Sequence, residues 1–163
     1  MNNYLNVEFN TIDIGIVEEI KNLGFDGIRS PIRGTADVLI ITEIAKYFPE
    51  LRWIFVLPFE GKLDDPSEVP SFSGYLSSIL KIKEMDHITN AIEVVNEPTA
   101  LSDFWKNNPR ELAFQFANSI KEIRRYLDRV EILSPSIHTT DRRSIEYLNN
   151  IIKYAEEFGE HDF

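Results

Sequence analysis

Short apolar, β-branched runs alternate with stretches of helical periodicity along the whole chain. This rhythm constrains the fold more than any other feature. Residues 5–9 read as a short strand. Thr11 or Asp13 can cap a helix with Ile16, Val17, Ile20 and Leu23 on one face, and Gly24 suits its C′ position. Residues 25–32 form a second strand running into a turn. Asp37 can cap a second helix that carries Ile40, Ile41, Ile44, Ala45 and Phe48 and ends at Pro49. Residues 52–59, RWIFVLPF, are solidly apolar, as a strand covered on both faces should be. After a proline-containing loop, a third helix is expected near residues 74–85 and a fourth strand over 88–96. Asn108-Pro109 opens a fourth helix, with Leu112, Phe116, Ile120, Ile123 and Leu127 facing in. Residues 130–136 form a fifth strand. Residues 141–158 form a fifth helix with Ile145, Leu148, Ile152 and Ala155 facing in, closed by Gly159.

The chain therefore reads as about five βα units of roughly 30 residues each, in one domain spanning residues 1–163. Such alternation implies a parallel sheet with right-handed crossovers. A closed eight-unit barrel needs roughly 250 residues, so 163 residues suit an incomplete (β/α)8 TIM barrel. A five-stranded doubly wound sheet fits the same length. The turn after the first strand, Phe9-Asn10-Thr11-Ile12-Asp13, holds no glycine, which weighs against a nucleotide-binding phosphate loop.

Composition narrows the function classes. Acidic residues outnumber basic ones 27 to 17, for a net charge of -10, which argues against nucleic-acid or anionic-membrane partners. There is no cysteine, so disulfides, thiolate catalysis and cysteine-ligated zinc are excluded. His87, His138 and His161 have no metal-ligand spacing, and no metal or other cofactor is expected. The opening MNNYLN has neither a basic nor an apolar leader region; no signal peptide is visible, and a cytoplasmic location is favoured.

The chemistry concentrates at the end of the fourth strand. The run Ile92-Glu93-Val94-Val95 leads into Asn96-Glu97-Pro98, and the proline should stop the strand. A carboxylate at the carboxyl end of a parallel strand stands where α/β barrels keep their reactive groups.

Two segments carry a resemblance. Residues 23–32, LGFDGIRSPI, look like the second-strand motif of retaining glycoside hydrolases of the cellulase, mannanase and xylosidase superfamily. Residues 92–98, IEVVNEP, resemble its fourth-strand motif. The resemblance implies a (β/α)8 barrel with Glu97 as acid/base, Asn96 binding the sugar 2-hydroxyl, and Arg29 supporting the catalytic carboxylates. It places the nucleophilic glutamate on a seventh strand, so this chain reads as a truncated catalytic barrel, its first five-eighths. Such a piece would carry the acid/base without the nucleophile. The partner expected is a polysaccharide or oligosaccharide, and self-association through open sheet edges is expected of the isolated piece.

In such enzymes one carboxylic acid protonates the leaving oxygen, and a carboxylate about 5–5.5 Å away attacks the anomeric carbon. Trp105, Glu60 and His138 are candidate substrate contacts, Trp105 as a stacking platform in the loop after strand four. Plainer readings stand beside each. Glu97 also fits a helix-entry carboxylate, Arg29 a structural ion pair, Trp105 a packing aromatic, and Glu60 a solvated loop acid. Glu93 shares the strand parity of Glu97 and reads as a buried structural carboxylate paired with a cation. A non-catalytic half-barrel that binds sugar or assembles with another chain is the alternative function.

Overall fold

The computed structural model describes residues 3–7, 12–32, 35–57, 88–94, 103–127, 129–136 and 142–160. Five strands form one sheet: β1 (Tyr4–Asn6), β2 (Gly27–Pro31), β3 (Arg52–Leu57), β4 (Thr89–Val94) and β5 (Glu131–Leu133). Five helices are described: α1 (Ile14–Asn22), α2 (Thr35–Ala45), α3 (Asp103–Asn107), α4 (Pro109–Tyr126) and α5 (Arg142–Glu157). The helix expected near residues 74–85 lies outside the described residues.

Every strand pairs in parallel with its sequence neighbour, and the order runs β1-β2-β3-β4-β5. A doubly wound sheet reverses its strand order at a switch point; this one does not. Successive right-handed crossovers without reversal would lay the described helices on one face. The core agrees. Ile28, Trp53, Phe55, Ile92, Val94 and Ile132 from one face of the sheet form one cluster with Val17, Val38, Ile41, Phe116 and Ile151 from the helices. By strand alternation and register, Asn6, Arg29, Ile54, Val56, Ala91 and Glu93 belong to the opposite face.

Local chemistry sets the element ends. Asp13 is the N-cap of α1, its carboxylate accepting from the Ile16 N–H at 2.9 Å. At the other end Gly24 takes φ 83°, and the Gly24 and Phe25 N–H groups bond back to Lys21 and Ile20 at 2.9 and 3.3 Å. That pairing is a Schellman closure, which needs a left-handed residue. Gly159, at φ 85°, closes α5 the same way through Glu156 and Ala155. Pro109 begins α4, where its missing N–H would have had no helical partner.

The structure corrects several sequence expectations. β2 and β5 span fewer residues than the 25–32 and 130–136 runs that signal them, and the carboxyl ends expected for the first, third and fourth strands lie outside the described residues. Asp37 lies buried in the first turn of α2, which starts at Thr35 rather than being capped by Asp37. The buried stripe of α2 centres on Val38, Ile41 and Ala45, so Thr42 turns in and Ile40 turns out. In α5 the buried row is Tyr147, Ile151 and Ala155 at four-residue spacing; Ile145 is exposed. Leu23 is exposed because it is the C-cap of α1.

Gly27 fixes how β1, β2 and β3 meet at their starting ends. It sits in register between Tyr4 and Arg52. A Cβ there would run into the Arg52 carbonyl oxygen and come 2.7 Å from the Tyr4 ring. The Arg52 guanidinium lies 5.8 Å from the centroid of that ring. Gly27→Ala should therefore destabilise the fold by about 1–3 kcal/mol, as overpacking does, in equilibrium urea unfolding. An unchanged midpoint would mean that the Tyr4–Gly27–Arg52 row can part without loss.

Candidate functional site

The opposite face of the sheet, which none of the described helices covers, carries few polar groups in β1–β4, and three of them meet. Arg29 projects from the middle of β2 and Glu93 from the penultimate position of β4. The Arg29 Nε and one terminal nitrogen donate to the two Glu93 carboxylate oxygens, each at 2.8 Å. This is the bidentate fork geometry that matches guanidinium to carboxylate. The pair reaches across β3, which lies between the two strands. The other terminal nitrogen of Arg29 donates to Asn6 Oδ1 at 2.8 Å, from the last residue of β1. One guanidinium thus joins side chains of three strands. A second ion pair spans a strand on this face, Arg52 to Glu131 across β4 at 3.7 Å, but both groups are well exposed and it stabilises little.

Burial separates the three groups. The Glu93 side chain is 6% exposed and the Arg29 side chain 24%, while Asn6 lies at the surface. A carboxylate this deep is costly unless both oxygens are paired, and Arg29 pairs both. All three residues lie in the middle or carboxyl-terminal parts of their strands, the end of a parallel sheet where ligands bind.

The sequence-predicted residues divide sharply. Arg29 is on the helix-free face and engaged with a carboxylate. That carboxylate is Glu93, the partner expected for a buried structural acid. Asn96, Glu97, Glu60 and His138 lie outside the described residues. Trp105 belongs to α3 rather than to a loop. It is fully buried in the main core, and its carbonyl accepts the Tyr147 hydroxyl. A sugar platform needs an open ring face, so this placement is that of a packing residue. Burial of Tyr147 pushes its phenol well above the ordinary tyrosine range. Trp53 is 1% exposed and helps line a pocket of about 270 Å³ with Lys46, Phe48, Leu51 and Ile88, near the amino-terminal ends of the strands. Sequence reasoning missed Asn6. Its signal was parity: a polar residue at the end of the first strand, in register with Arg29.

Among the described residues there is no group of three or more His, Cys, Asp or Glu side chains that could hold a metal ion, and no helix is long and apolar enough to cross a membrane. No protein-family model matches the chain, and no curated protein matches it in sequence.

The ion pair can be dissected. Glu93→Leu strands a cation against an apolar face and should cost about 1–3 kcal/mol, less than a fully buried pair because Arg29 is partly solvated. Arg29→Met should cost a similar amount. The double variant should lose less than the sum of the singles by about 1 kcal/mol or more in a double-mutant unfolding cycle. Strict additivity would show that the two groups do not stabilise one another.

Proposed function

We propose that this chain is the first five units of a (β/α)8 barrel of a retaining glycoside hydrolase, with Glu97 as the acid/base. The observation that supports this reading best is the convergence of Arg29 on the strand that runs into Asn96-Glu97. Arg29 occupies the position matching the strand-two arginine of the superfamily. It pairs with Glu93 on β4, four residues before Glu97 in the sequence, on the face opposite the described helices. The unreversed parallel order of the sheet is the order such a barrel requires.

The chemistry follows from the residue types. Glycoside cleavage passes through an oxocarbenium-like transition state. Glu97 protonates the leaving oxygen and then deprotonates the incoming water. Asn96 donates to the sugar 2-hydroxyl, a contact that strengthens as charge develops. Arg29, held by both Glu93 oxygens, fixes the polar end of the strand that leads in sequence to these groups. The nucleophile comes from a later strand of the barrel. In the isolated chain the edges of β1 and β5 are where a second copy would pair.

The test uses the catalytic domain in which these units are joined to a strand bearing the nucleophile. Glu97→Gln should slow hydrolysis of poor-leaving-group substrates by about 10²–10⁴-fold, the usual contribution of a general acid. Aryl glycosides with activated leaving groups should be cleaved in the first step almost as fast as before, because they scarcely need protonation. Equal losses on both substrate classes would argue against the acid/base role. Robust Glu97-dependent hydrolysis by the 163-residue chain alone would place a second carboxylate within it, with Glu8 and Glu60 the suspects.

A further inference from the structure

We propose that Asn6 is a ligand-binding residue, donating through its side-chain amide to an oxygen of a neutral, hydroxyl-rich ligand at the carboxyl end of β1. Its direction is set by Arg29. A guanidinium only donates, so the Asn6 amide must turn its oxygen toward Arg29, and it does so at 2.8 Å. The amide nitrogen therefore faces away from Arg29. Asn6 is exposed, and its amide N–H groups have no partner among the described residues. Arg29 cannot swing away to release the amide, because both Glu93 oxygens hold it at 2.8 Å. The result is a pre-oriented pair of donors at the rim of the helix-free face. Preorganised donors bind with less ordering cost than free surface amides.

Charge selects the ligand class. Arg29 is balanced by Glu93, and the chain as a whole carries -10, so an anion gains no net attraction. A hydroxyl or ring oxygen suits the amide donors. This inference rests on the glycoside hydrolase reading, which supplies the sugar as the neutral ligand, and adds a contact on strand one.

The test is native affinity electrophoresis of the 163-residue chain through gels containing mixed-linkage β-glucan, glucomannan or arabinoxylan. It is run for the wild type, Asn6→Asp and Asn6→Ala, with a melting curve for each. Asn6→Asp keeps an oxygen for Arg29 but loses the donors; Asn6→Ala loses both. At least one polysaccharide should retard the wild type. Both variants should bind it about 3- to 10-fold more weakly, the effect of one lost hydrogen bond. Asn6→Asp should melt no lower than the wild type. Weakening in Asn6→Ala with unchanged binding in Asn6→Asp would reduce Asn6 to a support for Arg29 and overturn the proposal. Equal retardation of all three would overturn it while leaving the glycoside hydrolase reading intact. No retardation of the wild type in any gel would count against that reading and against this contact with it.

Discussion

A guanidinium gripped by both oxygens of a buried carboxylate has one orientation to adopt, and that constraint organises the face of the sheet opposite the described helices. Glu93 could not be buried on β4 without a cation. Arg29 reaches it only because β2 and β4 hold their register on either side of β3. The same guanidinium then fixes the amide of Asn6 on β1. Three strands contribute one polar group each: Glu93 fixes Arg29, and Arg29 in turn orients Asn6. The Arg52–Glu131 pair near the amino-terminal ends, exposed on both sides, has no comparable hold.

The sheet beneath these groups is built by the opposite chemistry. Its other face is apolar throughout the main cluster, from Ile28 and Phe55 to Ile92 and Ile132, and the helices bury it. Because the strand order never reverses, the helices need only one face. The second face carries Asn6, Arg29 and Glu93 beside the buried Ile54, Val56 and Ala91. Division of labour between the faces is a consequence of strand order. Gly27 works at the other end of the strands, where the Tyr4 ring and the Arg52 backbone approach too closely for any side chain.

Much of the fold was legible in the sequence because its periods were clean. The alternation of strands and helices, the Asp13 cap, the Gly24 and Gly159 closures and the Pro109 start were each written in single residues with one physical meaning. Helix faces were less legible. Apolar spacing alone turned Ile40 and Ile145 inward, whereas packing chose the stripes through Thr42 and Tyr147, since a hydroxyl that finds a carbonyl partner can be buried cheaply. Thr42 bonds to the Leu39 carbonyl and Tyr147 to that of Trp105. Trp105 illustrates the same limit: an aromatic after a strand end looks like a platform in sequence, yet a five-residue helix carries it into the core. At the site, Arg29 and the paired Glu93 were readable from motif and parity. Asn6 was not, because a single asparagine acquires meaning only from the neighbour that orients it.

The central claim is that sugar binds on the Arg29 side of the sheet, at the carboxyl ends of the strands. A crystal structure of the chain soaked with a β-1,4-linked disaccharide tests it most directly. The account predicts sugar density over Asn6 and Arg29, with the Arg29–Glu93 pair intact beneath it. Sugar lodged instead in the pocket beside Trp53, at the opposite end of the strands, would contradict it, and so would a site over Asn6 and Arg29 that stays empty at saturating sugar.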